Sequence, residues 1–138
     1  LRVIMRLQHI YSTLLIVFTL LTAGACTSSK PTVGQRGYTE AGKASYYSNK
    51  LHGRKMANGE AYNRRKLTAA HRTLPFGTKV KVTNLQTNKS VKVSITDRGP
   101  FVKGRVIDLS EAAAKRLDYI SAGIVPVEVK VVKPAPAR

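Results

Sequence analysis

Acid is scarce in this sequence. Among 138 residues there are 24 Lys and Arg against 7 Asp and Glu, a formal charge of +17 at neutral pH. That imbalance calls for an anionic partner, whether nucleic acid, a membrane surface or an acidic polymer. There is one cysteine, Cys26, which excludes a disulfide framework and leaves no cysteine cluster for a metal; no cofactor is expected either. Long apolar runs are also rare. The one from Ile10 to Leu21 falls short of the about 20 residues a spanning helix needs, so a retained transmembrane anchor is not expected. No internal repeat is present, and no RNA-binding or helix-turn-helix motif accompanies the positive charge. The length allows one domain plus a short appendage, and a hydrophobic fraction of 43% is ordinary for a globular chain.

What is present begins at the amino end. Arg2 and Arg6 precede the apolar run, and small residues Ala23-Gly24-Ala25 precede Cys26, the pattern of a secretory signal over residues 1–25. Small residues before a single Cys resemble the bacterial lipobox. That resemblance implies a lipidated Cys26 in the cell envelope, and Thr27 after it implies the outer membrane, facing the periplasm. Two or three acyl chains anchor a protein stably where one does not. An exported protein rarely meets nucleic acid, so no nucleic-acid partner is expected. Residues 26–41 have no apolar period and many turn formers, and they read as a tether of roughly 20 Å r.m.s. span.

From Gly42 the pattern turns to short strands. Lys43 to Ser48, Thr78 to Thr83, Val91 to Ile95 and Val125 to Val132 are β-branched or alternate polar with apolar residues. The turn formers of Asn84 to Lys89 predict a hairpin. One helix is predicted after Ser110 as N-cap, with Glu111 in its first turn, Lys115-Arg116 near its end and Gly123 beyond. Many short strands with one small helix predict a closed or nearly closed barrel, mainly β, over residues 42–132, followed by a Pro-Ala tail at 133–138.

The acids are clustered. Asp97, Asp108 and Glu111 lie in or just after one segment, where an alternating strand stops at Asp97 because Arg98-Gly99-Pro100 cannot continue a ladder. Strand ends are where scaffolds place working side chains, so Asp97 is a candidate catalytic group. Asn58-Gly59 is a tight-turn dipeptide that presents Glu60 from a loop, where it fits a solvated charge as well as a catalytic one. Asp108 fits a carboxylate bonded to loop or helix-start N–H groups as well as a reacting one. His71 fits a hydrogen-bonded wall residue as well as a base.

Six blocks of the chain are similar, in order, to the RlpA (rare lipoprotein A) family. They are Gly42-Lys43-Ala44-Ser45-Tyr46-Tyr47, Ala57-Asn58-Gly59-Glu60, Leu67 to Pro75, Val82-Thr83-Asn84-Leu85, Asp97-Arg98-Gly99-Pro100-Phe101 and Arg105-Val106-Ile107-Asp108-Leu109-Ser110. The resemblance implies a six-stranded double-psi β-barrel with one or two short helices, related to expansins and barwin-like domains. It also implies an endolytic peptidoglycan transglycosylase acting on peptide-free glycan strands. Carried over position by position, the family's catalytic carboxylates fall on Glu60 and Asp97 and its active-site histidine on His71. Asp108 matches an acid of related barrels. Ser45, Tyr46, Tyr47, Asn58, Thr68 and Arg98 lie in blocks expected to contact substrate. Met56 replaces a usual Thr, and Tyr46 a frequent Trp. Larger members carry a C-terminal SPOR module that this sequence does not show, so septal targeting is not expected from it.

The expected chemistry needs one carboxyl to protonate a glycosidic oxygen and a second negative group to stabilise the oxocarbenium-like charge. Glu60 is the expected acid and Asp97 the stabiliser, with Arg98 favouring an ionised Asp97 if the two side chains approach. The positive field suits a glycan that exposes muramic acid carboxylates, and tyrosine faces suit sugar rings. The expected partners are glycan strands and, through Cys26, a membrane, with the protein a monomer. The competing expectation is a barrel that grips a polysaccharide without cutting it.

Overall fold

The computed structural model describes residues 29–137; the expected signal, Cys26 and the start of the tether lie outside the described residues. Six strands, β1 (Thr39–Tyr46), β2 (Thr68–Ala70), β3 (Lys79–Asn84), β4 (Ser90–Asp97), β5 (Arg105–Leu109) and β6 (Val125–Lys133), close into a barrel in the order β1-β5-β2-β4-β3-β6. A helix, α1 (Glu111–Arg116), follows β5, and a single 3-10 turn spans Asn49–Leu51. The predicted mainly-β barrel and its short helix are both present. Among the described residues no helix is long and apolar enough to cross a membrane.

Alternation builds the barrel wall. Val80 and Val82 of β3, Val91, Val93 and Ile95 of β4, and Val125, Val127, Val129 and Val131 of β6 point inward and are buried. Each such side chain contributes about 1.5–3 kcal/mol relative to exposure. The lysines between them face water. β3 runs antiparallel to both β4 and β6, so Val82 stands opposite Val91 and Val129. This confirms the hairpin expected at Asn84 to Lys89. Buried Asn84 ties the hairpin end to the helix by donating from Nδ2 to the Leu117 carbonyl at 3.0 Å. Ser110 caps α1 by accepting from the Ala113 N–H at 3.3 Å, and Lys115 pairs with Glu111 one turn away at 2.6 Å.

Two parallel pairs make the crossing. β1 lies parallel to β5 and β2 parallel to β4, while β2 and β5 are antiparallel neighbours. Close packing of β1 on β5 depends on Gly42, where a Cβ would lie 2.4 Å from Val106 Cγ1. The barrel also starts earlier than the side-chain pattern predicts. Thr39, Glu40 and Ala41 pair with Lys130, Val129 and Glu128 of β6. Just before them, the Gly37 N–H donates to the Val131 carbonyl and the Val131 N–H to that of Tyr38, each at 2.9 Å. Backbone bonding, which polar composition does not report, draws the end of the expected tether into the barrel. The tail is likewise placed against the barrel, with Ala135 and Pro136 beside Thr73, Pro75, Phe76 and Arg98.

Candidate active site

β2 is only three residues long, yet it organises the site. Ala70, its last residue, stands opposite Asp97 on β4 and opposite Asp108 on β5. Two of the chain's seven acids therefore flank one alanine on neighbouring strands.

Asp97 is held by donors. Its Oδ1 accepts the Ala57 and Arg98 N–H groups, each at 2.8 Å, and its Oδ2 accepts the Tyr47 hydroxyl at 2.7 Å. Among the described residues it makes no ion pair. Burial first, and then Asp97, push the Tyr47 phenol well above the ordinary tyrosine value, so it remains a proton donor in this bond. The loop over Asp97 is built from the Asn58-Gly59 turn. The Gly59 N–H donates to the Met56 carbonyl, the Met56 N–H to that of Glu60, and the Asn58 N–H to that of Thr96. Asn58 itself accepts the Glu60 N–H through Oδ1 at 3.0 Å. Met56 is buried against Thr96, whose hydroxyl contacts its sulfur at 3.3 Å. The result is a cavity of about 260 Å³ lined by Tyr47, Leu51, Arg54, Lys55, Met56, Tyr62 and Asp97.

Glu60 lines the neighbouring cavity, about 390 Å³, with His52, Gly53, Ala61, Tyr62, Asn63 and Lys66. Tyr62 borders both spaces. Its ring lies 4.9 Å from that of Tyr47, and its hydroxyl accepts the Glu111 N–H at 3.3 Å. Glu60 is exposed and makes no ion pair among the described residues.

Asp108 and Arg98 have settled partners. The Asp108 Oδ1 accepts the Ser45 hydroxyl at 2.5 Å and pairs with Arg105, so it bonds a hydroxyl and a guanidinium, while the helix start is capped by Ser110. Arg98 does not bring its charge to Asp97. Its guanidinium donates to the carbonyls of His71 and Leu74, at 3.2 and 2.9 Å, and lies 3.8 Å over the Phe76 ring. Only its backbone N–H reaches the carboxylate, because the guanidinium is engaged by the His71 and Leu74 carbonyls and the Phe76 ring.

His71 is buried. Its Nδ1 accepts the N–H groups of Thr73 and Leu74, at 3.3 and 3.1 Å, which assigns its proton to Nε2, 3.0 Å from Glu40 Oε2. Burial lowers its pKa despite the opposing pull of Glu40. Its contact with Asp97 is through the main chain, N–H to carbonyl at 3.2 Å. Tyr46 packs edge-on against Tyr119 and donates to the Ile120 carbonyl at 3.1 Å. Thr68 is buried, and its hydroxyl has no partner among the described residues. Sequence reasoning did not single out Glu40, Tyr62 or Arg105. Arg105, three residues before Asp108, was the one with a readable signal. Among the described residues no group of three or more His, Cys, Asp or Glu converges to hold a metal.

Residues 39–129 match the family described as Lytic transglycolase. The Endolytic peptidoglycan transglycosylase RlpA of Campylobacter jejuni is 52% identical over 102 residues, 74% of this chain and 37% of that protein. The chain thus spans about a third of the length of the curated relatives it matches, such as the 37% covered in the RlpA of Vibrio cholerae, 50% identical over 97 residues. Among solved structures, an expansin mutant of Clavibacter michiganensis in complex with cellohexaose superposes with a TM-score of 0.55 at 25% identity, covering 72% of this chain and 54% of that one.

Proposed function

Since the chain belongs to the RlpA family of double-psi β-barrels, we propose that it is an endolytic lytic transglycosylase. It cuts the bond between N-acetylmuramic acid and N-acetylglucosamine in peptide-free glycan and leaves 1,6-anhydromuramyl ends. The observation that carries this reading is the setting of Asp97: a carboxylate with three hydrogen-bond donors, no ion-pair partner among the described residues, and an open cavity beside it.

A glycan strand laid across both cavities passes Tyr62 and reaches Glu60 and Asp97 together. Glu60 protonates the glycosidic oxygen, and the bond to C1 breaks with its electron pair going to that oxygen. Asp97 stabilises the positive charge that develops at C1 and the ring oxygen. Glu60, now ionised, takes the proton from the C6 hydroxyl of the same muramyl ring as that oxygen attacks C1, which restores the acid. Covering Glu60 with the strand excludes bulk water from the reacting bond. Arg54 and Lys55 at the cavity wall suit the lactyl carboxylates of muramic acid. His71 acts as a positioning residue for the loop behind Asp97, and Asp108 is the reserve acid.

Incubating the protein with peptide-free glycan and analysing the products by mass spectrometry tests this reading. Anhydromuramyl ends are expected; new reducing ends would indicate hydrolysis, and retention without products would indicate a binding module. Anchoring through a lipidated Cys26 is proposed with it, and incorporation of a labelled fatty acid that is lost in Cys26→Ser checks it.

A further inference from the structure

We propose that Phe101 is a stacking platform for one sugar ring of the bound polysaccharide, forming a subsite with Asp108 of β5; this rests on the glycan reading above. Phe101 is 83% exposed, against 49–53% for the other exposed large apolar residues, and it is the only aromatic one so placed among the described residues. Val102 beside it is 53% exposed and extends the apolar rim.

The position of the ring ties it to the site. Measured from where a side chain on Gly99 would begin, Phe101 Cε2 lies 3.8 Å away and Asp108 Oδ2 3.9 Å away. Any side chain at Gly99 would fill the space between ring and carboxylate, and its φ of +126° is one that L residues rarely adopt. Glycine therefore keeps that gap open. Among the described residues both of Asp108's side-chain bonds fall on Oδ1, from Ser45 and Arg105, which leaves Oδ2 as an acceptor toward the gap. An aromatic face beside an unengaged carboxylate oxygen matches a pyranose, which has an apolar C–H face for the ring and hydroxyl donors for the oxygen. An acyl chain or an apolar protein surface offers no donor for Oδ2 and would leave that oxygen desolvated without compensation.

The test compares the wild-type protein with Phe101→Ala and Phe101→Trp on peptide-free glycan strands, measuring KM, kcat and co-sedimentation with the strands. Because the side chain is exposed, thermal melting serves to show that both variants are folded. Phe101→Ala is expected to raise KM about tenfold with kcat little changed, and Phe101→Trp to restore the wild-type value. Wild-type KM and co-sedimentation in a folded Phe101→Ala would overturn the subsite while leaving the transglycosylase reading intact. A wild-type protein that neither binds nor cleaves the strands would overturn both.

Discussion

The Tyr47 hydroxyl donates to Asp97 Oδ2 at 2.7 Å across a separation of 50 residues, joining the end of one strand to the end of another. With the Ala57 and Arg98 N–H groups on Oδ1, it sets the direction in which Asp97 presents its charge. Tyr47→Phe removes that donor and little volume. It is expected to lower kcat about tenfold or more, with KM nearly unchanged, at a cost of about 1 kcal/mol in stability. Steady-state kinetics and a denaturant melt check the two parts.

Glu40 and His71 supply a pH dependence. His71 is held below the ordinary histidine value of 6.5, chiefly by burial. As pH falls through that value the unfolded chain binds a proton that the folded one refuses, so stability is fully present above it and is lost as pH falls toward the folded value. Thermal melts at about pH 7.5 and about pH 5 are expected to show the lower midpoint in acid, with a smaller difference in His71→Gln. Glu40→Ala, which strips the acceptor from the buried Nε2–H, is expected to cost about 1–3 kcal/mol at either pH.

Gly42 is the tightest backbone contact among the described glycines. A Cβ there meets Val106 Cγ1 at 2.4 Å, so Gly42→Ala must push β1 from β5 or force Val106 off its rotamer. A loss of about 1–3 kcal/mol is expected, with part of it recovered in Gly42→Ala combined with Val106→Ala. Urea denaturation of the two single variants and the double variant checks the coupling.

On the outer wall Lys81 stands opposite both Lys92 and Lys130, and Lys79 opposite Lys133. Like charges opposed across a ladder repel, and all five side chains are exposed. Lys81→Thr, which keeps a good strand residue, is expected to raise stability by about 0.2–1 kcal/mol at low salt and by less near molar salt. Melts across a salt series decide it.

Much of this was legible because side-chain pattern and structure coincide where a strand is long. β3, β4 and β6 alternate cleanly, and Ser110 with Glu111 marks the helix start. β2 was not legible as a strand: three residues buried throughout, two of them alanine, carry no period. The pairing that places Asp97 and Asp108 on either side of Ala70 depends on that strand, so the relation between the two carboxylates was hidden with it. Adjacency in sequence also misled at Arg98, whose backbone meets Asp97 while its charge lies over Phe76. Glu40 was obscured by a turn-rich neighbourhood that reads as linker, although its carboxylate meets His71 at 3.0 Å.

The most direct measurement is the rate at which anhydromuramyl ends form from peptide-free glycan with Glu60→Gln, Asp97→Asn and Asp108→Asn side by side, each with its melting temperature and strand binding recorded. With Glu60 as acid and Asp97 as stabiliser, the expected result is a fall of about 10²–10⁴ in kcat for the Glu60 and Asp97 variants, which still fold and bind, and a smaller fall for Asp108→Asn. Full turnover by Glu60→Gln together with a folded, inactive Asp108→Asn would contradict it and make Asp108 the proton donor.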